Sequence, residues 1–286
     1  MNTPTKVNTN DYAVIIMSCD SYSDVWEPFS KGWDKFWPNC PFDCYLISET
    51  IPFHHKSIKN IQTAKPMRWG EMLLYVLSRI KTENIIYLQE DYILREKVNE
   101  KELFDYLAIY ESLEAAYLRL LPWPGPDRLH PKFKNIGLLD PNSKYRTSLQ
   151  ASVWKNDILK SLVKPSDDGR FESWSIERAK NIERPFLCIL RNGVSDDINH
   201  DGPYPINYYA TSVFQGKWLK EALRIYKDLG IKIDTSKRGV MNRIDFLEYH
   251  ERKKGKRRIK YKLIKKLKWF IEKILKVSRG FCLSIH

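Results

Sequence analysis

The sequence predicts an α/β fold: a mostly parallel, mixed sheet flanked by helices, with a basic amphipathic helix at the C-terminus. Three observations carry this. Strand-like and helix-like hydrophobic spacings alternate across the first 95 residues, the pattern of βαβ units. The run Ile85-Ile86-Tyr87-Leu88-Gln89-Glu90-Asp91-Tyr92 is apolar, β-branched and aromatic and then ends in two adjacent carboxylates. A buried parallel strand that delivers acid groups to its C-terminal edge has this form. Near the C-terminus, Ile264, Leu267, Ile271, Ile274 and Leu275 recur at helical spacing among lysines and arginines, with Trp269 and Phe270 flanking the stripe.

Taken in order, Tyr12–Ser18 has the continuous apolar character of a buried first strand. It runs into Cys19-Asp20-Ser21-Tyr22-Ser23-Asp24, rich in helix-capping residues, and a helix follows over 25–36. Strands are expected at 42–47, ending at Ser48-Glu49, and at 58–62. Met72, Val76 and Ile80 form one stripe of a helix over 67–80, and the acid-ended strand follows. Further on, a helix is expected at 100–113 with Asn99 as its N-cap, and a strand at 116–120. Residues 121–127 hold three prolines and a glycine and exclude regular structure. A strand at 145–154, helices at 155–162 and 172–179, a strand at 186–190, a polar loop at 193–204 and a helix at 216–229 complete the body. No internal repeat is present.

At 286 residues the chain suits one large domain or two small ones, and 43% apolar residues support a real core. The formal net charge of +13 is concentrated: Glu251–His286 holds fourteen Lys/Arg and two Glu, which leaves about +1 on the other 250 residues. The body is therefore not a basic nucleic-acid binder. This divides the chain into a catalytic domain over 1–250 and a tail over 251–286. The five cysteines match no zinc or redox spacing and read as free thiols of a reducing compartment. Residues 1–11 lack the apolar core of a secretory signal, and no run reaches the roughly 18 apolar residues of a spanning helix. A cytoplasmic protein, peripheral on the inner face of the membrane, is expected.

In open α/β sheets ligands bind beyond the carboxyl ends of the strands. A carboxylate pair there suits Mg²⁺ or Mn²⁺, which bridges two phosphates. Capping of the following loop is the structural alternative for Glu90 and Asp91. The segment Tyr87-Leu88-Gln89-Glu90-Asp91-Tyr92 resembles the "DxD" region of GT-A-fold glycosyltransferases, in the acidic "LEDD" or "QEDY" form of some bacterial families. The resemblance spans about residues 12–220 and implies a Rossmann-like GT-A sheet. It places Ser18, Asp20 and Tyr22 where such enzymes seat the nucleobase and ribose, and Arg68, beside Trp69, where they contact the donor. It implies donor binding by Glu90 and Asp91 as well. Because Gln89 stands where a D-x-D motif has acid, Asp91 becomes the direct metal ligand; a metal-independent variant stays open.

Glu172-Ser173-Trp174-Ser175-Ile176-Glu177 resembles the acceptor-side helix of the same enzymes, where an acid lies beside an aromatic platform. An inverting transferase needs a carboxylate base for the acceptor hydroxyl. Glu177 is the first choice, followed by Glu172 and Asp168, with Trp174 and Trp123 as acceptor-binding surfaces; whether the reaction inverts or retains is open. A solvated helix face with one buried Trp is the plain alternative. The loop Asp196-Asp197-Ile198-Asn199-His200-Asp201-Gly202 lacks the calcium-loop register, and His200 is a candidate third metal ligand by the same resemblance.

The tail's continuous aliphatic stripe separates it from an ordinary RNA-binding arm and suits an anionic membrane surface, engaged through residues 252–279. These features together suggest transfer of a sugar from a nucleotide-sugar donor to a glycan or lipid-linked glycan in bacterial surface polysaccharide (capsule or O-antigen) synthesis. A sugar nucleotidyltransferase would carry a glycine-rich basic loop after the first strand, which Ser18–Tyr22 is not. A nucleic-acid-binding protein would use the tail for salt-sensitive binding.

Overall fold

The computed structural model describes residues 7–168, 170–190, 204–209, 211–242 and 244–248. His200, its acidic loop, the expected boundary at 250 and the basic tail lie outside the described residues. The chain divides into two compact units, Met1–Ser212 with Ile225–Asp234, and Val213–Arg224 with Thr235–His286.

The first unit is built on β1 (Tyr12–Met17), α1 (Ser23–Phe36), β2 (Asp43–Ser48), β3 (Lys59–Gln62), α2 (Trp69–Arg79), β4 (Asn84–Gln89) and β5 (Ile93–Leu94). It continues through α3 (Glu100–Ser112), β6 (Tyr117–Arg119), β7 (Arg128–Leu129), β8 (Ile136–Leu138) and β9 (Ser152–Lys155). α4 (Asn156–Leu162), α5 (Phe171–Ala179), β10 (Phe186–Ile189) and β11 (Tyr208–Tyr209) follow. Nine strands form one sheet in the order β3-β2-β1-β4-β9-β6-β10-β8-β7. Only β8 and β9 run against the other seven. This is the mostly parallel mixed sheet flanked by helices that the sequence predicts. Beside it, β5 and β11 pair antiparallel.

All six residues of β1 are buried, and they alternate between two cores. Val14 and Ile16 face one layer with Trp26, Phe29 and Trp33 of α1; Ala13, Ile15 and Met17 face the other, with Leu73 and Val76 of α2. Burial on both faces explains why β1 and β4 read as unbroken apolar runs. Within the first layer Trp33 lies 4.9 Å from Trp37 and 5.8 Å from Phe29 between ring centroids, a tilted aromatic stack.

Chain order makes the β1–β4 boundary special. From β1 the chain winds outward through β2 and β3, then returns to place β4 on the other side of β1. The crossovers diverge at this boundary, and the divergence opens a crevice at the strand ends. The register is set by six pairings, Tyr12↔Asn84 to Met17↔Gln89. Ser18 and Glu90 therefore leave the sheet side by side.

Two expected elements differ. Residues 145–151 are not strand; only Ser152–Lys155 joins the sheet. Tyr145 has a φ of 59°, which breaks an extended chain, and its carbonyl accepts from the buried Arg119 guanidinium. The expected helix over 216–229 begins at Lys220 instead. In the second unit Val213–Phe214 (β12) and Lys217–Leu219 (β13) form a hairpin that leads into α6 (Lys220–Asp228), and β14 (Val240–Met241), later in the chain, runs parallel to β13. Gln215 and Gly216, with φ of 50° and 72°, both take the left-handed conformation that a two-residue primed turn requires. Among the described residues no helix is long and apolar enough to cross a membrane.

The start of α2 has no room for a side chain at Gly70. A Cβ there would lie 2.0 Å from the Lys164 carbonyl oxygen, and the Gly70 amide donates to Asp167 O at 3.1 Å. Gly32, inside α1, has open space around the equivalent position. Gly70→Ala should therefore lower unfolding stability by about 1–3 kcal/mol, whereas Gly32→Ala should raise it by about 0.5–1 kcal/mol; urea midpoints of the two variants check both signs.

Candidate active site at the β1–β4 strand ends

A cavity of about 580 Å³ opens at the carboxyl ends of β1, β2 and β4. Ser18, Cys19, Ser21 and Tyr22 line it after β1, Glu49 after β2, and Gln89, Glu90 and Tyr92 at the end of β4; Trp69, Leu149, Gln150, Glu172 and Thr211 complete the wall. Its size and mix of aromatic, apolar and few acidic groups are those of a small-ligand site.

The turns after β1 and β2 hold each other. The Asp20 amide donates to Glu49 Oε2 at 3.1 Å, while the Glu49 amide donates to Asp20 Oδ1 at 2.9 Å. Asp20 Oδ2 accepts from the Thr50 amide, the Thr50 hydroxyl and the Ile51 amide at 2.8, 2.5 and 3.1 Å. Burial alone would raise the Asp20 carboxyl; these hydrogen bonds to its charged form outweigh it and hold it below the usual range. Asp20, expected to bind donor, is thus occupied with the backbone of residues 49–51 and does not line the cavity. Glu49 does line it, with its other oxygen accepting from the Met67 amide at 3.3 Å.

Ser18 and Tyr22 both line the cavity, and the Trp26 indole donates to Ser18 Oγ at 2.6 Å. Burial raises the Cys19 thiol while the Ser21 hydroxyl, 3.0 Å from Sγ, opposes the shift. Arg68 is exposed at the N-cap of α2, where its amide donates to Glu71 Oε2 at 3.1 Å. Its neighbour Trp69 is the residue on the cavity wall, 5.2 Å from Phe171 between rings.

The acidic pair divides. Glu90 lines the cavity, whereas Asp91 does not. Asp91 Oδ2 accepts from the Thr211 hydroxyl, and the Asp91 carbonyl from the Ser212 amide at 2.9 Å. Both acids are buried. Asp91 thus ties the end of β4 to residues 211–212, and the carboxylate presented to a ligand is Glu90. Both acids sit in the turn after β4, closed by the Tyr92 amide donating to the Gln89 carbonyl at 3.3 Å, and this turn sends the two side chains apart.

The three candidate bases also separate. Glu172, in the first turn of α5, lines the cavity. Its Oε1 accepts from the Ser148 hydroxyl at 2.8 Å and the Leu149 amide at 2.5 Å. Glu177 sits five residues on, with a 73% exposed side chain paired to Lys180 at 2.6 Å, and does not line the cavity. Asp168 is exposed and paired to Arg170 at 2.9 Å. Trp174, stacked 4.6 Å from the Arg170 guanidinium, and Trp123 are surface aromatics off the cavity wall.

Residues 146–151 are fixed from several sides. Tyr117 OH donates to Ser148 O at 2.8 Å, Tyr92 OH to Leu149 O at 3.0 Å, and the Ala151 amide to Tyr208 OH at 2.9 Å. Tyr92 and Tyr208 stack at 4.4 Å, and burial drives both phenols well above their ordinary range, so they remain neutral donors. The sequence pattern does not single out Glu49, Gln150 or Thr211 as wall residues, and it names Trp69 only as the neighbour of Arg68 at the start of α2. For Glu49 a signal exists, an acid at a strand end, as for Glu90.

Among the described residues no group of three His, Cys, Asp or Glu is placed to hold a metal ion. The wall therefore does not fit a closed, all-protein cage. One cavity carboxylate fits the other mode of hard divalent ions, which keep waters and share one or two carboxylates with a ligand's phosphates.

No family model matches the sequence, and no curated protein matches it. Among solved structures, the chain is similar to residues 1–349 of S. aureus TarS, at 14% identity and a TM-score of 0.42 over 76% of this chain and 62% of that one. It is also similar to the mannosyltransferase PcManGT of Pyrobaculum calidifontis, in complex with GDP-Man and Mn²⁺ (10% identity, TM-score 0.39, 60% and 52% coverage). A third is the glucosyl-3-phosphoglycerate synthase of Mycobacterium tuberculosis with Mn²⁺ and UDP-glucose (12% identity, TM-score 0.34, 58% and 66% coverage). The chain thus spans less than two thirds of each of these proteins.

Because Asp20 is charged while it accepts these bonds, Asp20→Ala should cost about 1–3 kcal/mol at neutral pH. Its folded pKa is depressed, so this contribution is complete above the unfolded value and is lost as pH falls through the folded one. Urea unfolding of the native protein and Asp20→Ala should differ at pH 7 and converge toward pH 3.

Proposed function

We propose that the protein is a glycosyltransferase of GT-A type that moves a sugar from a nucleotide-sugar donor to a glycan acceptor in bacterial surface-polysaccharide synthesis. The observation that carries this reading is the meeting of Glu90 and Glu172 on one cavity at the β1–β4 switch point. A donor diphosphate and an acceptor hydroxyl need two carboxylates with separate roles at one place.

In this reading Ser18, Tyr22 and Glu49 border the nucleoside, and Glu90 lies at the diphosphate. A bound Mn²⁺ or Mg²⁺ would be held by Glu90 together with the donor's phosphates and would offset charge on the leaving group. Glu172 is the base. Its Oε1 is held by Ser148 and Leu149, which fixes the carboxylate while Oε2 accepts the acceptor's hydroxyl proton. The acceptor oxygen then forms its bond to the anomeric carbon as the bond to the diphosphate breaks, with inversion. The aromatic wall of Tyr22, Trp69 and Tyr92 suits a sugar face and helps exclude water.

A thermal-shift panel of nucleotides and nucleotide sugars, with and without Mn²⁺, should find at least one stabilising donor. Turnover of that donor should fall about 10²–10⁴-fold in Glu172→Gln with its thermal shift retained. Glu177→Gln should stay near the native rate, and Glu90→Gln should lose the donor-dependent shift. No stabilisation by any nucleotide, or equal losses in Glu172→Gln and Glu177→Gln, would contradict this reading.

The basic tail is proposed to hold the enzyme at an anionic membrane, lysines at the headgroups and the Leu/Ile/Trp stripe in the boundary, where a lipid-linked acceptor would be found. Full-length protein should float with phosphatidylglycerol liposomes, and a chain ending at residue 250 should not. Equal flotation of the two would remove the tail from membrane binding.

A further inference from the structure

The first unit contains a second charged cavity, of about 540 Å³, that the catalytic reading leaves unused. It lies where β8 ends and β10 begins, away from the strand ends that form the candidate active site. Arg128, Arg146, Lys180 and Arg184 line it, against two acids, Asp140 and Glu183. Asp140 is already engaged, since its carboxylate pairs with Arg128 at 2.9 Å.

Arg146 is the unusual member. It is only 3% exposed, yet no carboxylate pairs with it among the described residues. Nη1 donates to the Ala179 carbonyl at 2.5 Å, and the guanidinium lies 3.9 Å from the Phe186 ring centroid. Nε is buried with no hydrogen-bond partner among the described residues. A carbonyl and an aromatic face satisfy part of a guanidinium but do not neutralise it. Buried charges are ordinarily paired, because an unpaired one loses hydration without return. Burial accordingly pushes Arg146 below its ordinary range, with Asp140 opposing.

We infer that this cavity is an anion site that takes a phosphate group, with Arg146 at its floor and Lys180 and Arg184 at its rim. The planar fork of a guanidinium matches phosphate oxygens through two parallel bonds. Lys180, which also pairs with Glu177 at 2.6 Å, and Arg184 supply further positive charge; among the described residues Arg184 makes one hydrogen bond, from Nε to the Glu114 carbonyl at 2.7 Å. Two sources present the same oxygens, free phosphate and the diester of a larger ligand.

The test uses full-length protein labelled with ¹⁵N-arginine. The Arg146 Nε–H resonance is assigned by its disappearance in Arg146→Lys, and inorganic phosphate or glycerophosphoglycerol is titrated with chloride as the control. This resonance reports the Arg146 cavity directly and is blind to binding at the strand ends. The expected result is a saturable shift with one or both phosphate ligands, about tenfold weaker in the rim variant Arg184→Ala, the loss of roughly one charge-assisted contact. A shift with inorganic phosphate alone identifies the free ion; a tighter response to glycerophosphoglycerol identifies the diester. No shift with either, the same shift with chloride, or an unchanged affinity in both Arg184→Ala and Lys180→Ala would overturn the inference.

Discussion

The parallel pairing of β1 with β4 is the constraint on which the rest of the site depends. Six consecutive pairs lock the two strands, and burial on both faces forbids a slip, because a one-residue shift would turn every side chain to the other layer. With Met17 opposite Gln89, the polar residues after β1 and the acid after β4 emerge at one level. The outward winding through β2 and β3 leaves that level uncovered. A crevice bearing Glu90 beside Ser18 follows from topology before any ligand is considered.

Around this fixed pair, hydrogen bonds to acidic residues do most of the positioning. Asp20 and Glu49 exchange bonds across the β1 and β2 turns, Asp91 ties β4 to residues 211–212, and Glu172 grips Ser148 and Leu149. Four acids at the strand ends thus have different duties, and only those with an oxygen turned to the cavity are available for chemistry. Arg119 performs the corresponding task from within the core. Fully buried on β6, it donates to the carbonyls of Pro124 and Tyr145 and so organises two stretches that lack regular structure.

This division of labour explains what the sequence made legible. The run ending in Glu90-Asp91 announces a buried strand and an acidic end because both facts are local. Which acid faces the cavity is decided by the turn after β4 and by Thr211, 120 residues away. Likewise the spacing of α5 shows that Glu172 and Glu177 cannot share a face, but only the path of residues 146–149 selects Glu172. The β12–β13 hairpin escapes notice because its turn is Gln215-Gly216 rather than the familiar Asn-Gly, although the glycine supplies the same backbone freedom. Long-range polar contacts of this kind leave little trace in hydrophobic periodicity.

The central claim is that Glu90, at the β1–β4 switch point, meets the diphosphate of the donor. Crystals soaked with a nucleoside diphosphate and Mn²⁺, measured at the manganese absorption edge, address it directly. The account predicts diphosphate density in the strand-end cavity with an anomalous peak at the Glu90 carboxylate. A nucleotide bound elsewhere, or one bound in this cavity with its diphosphate remote from Glu90, would contradict it.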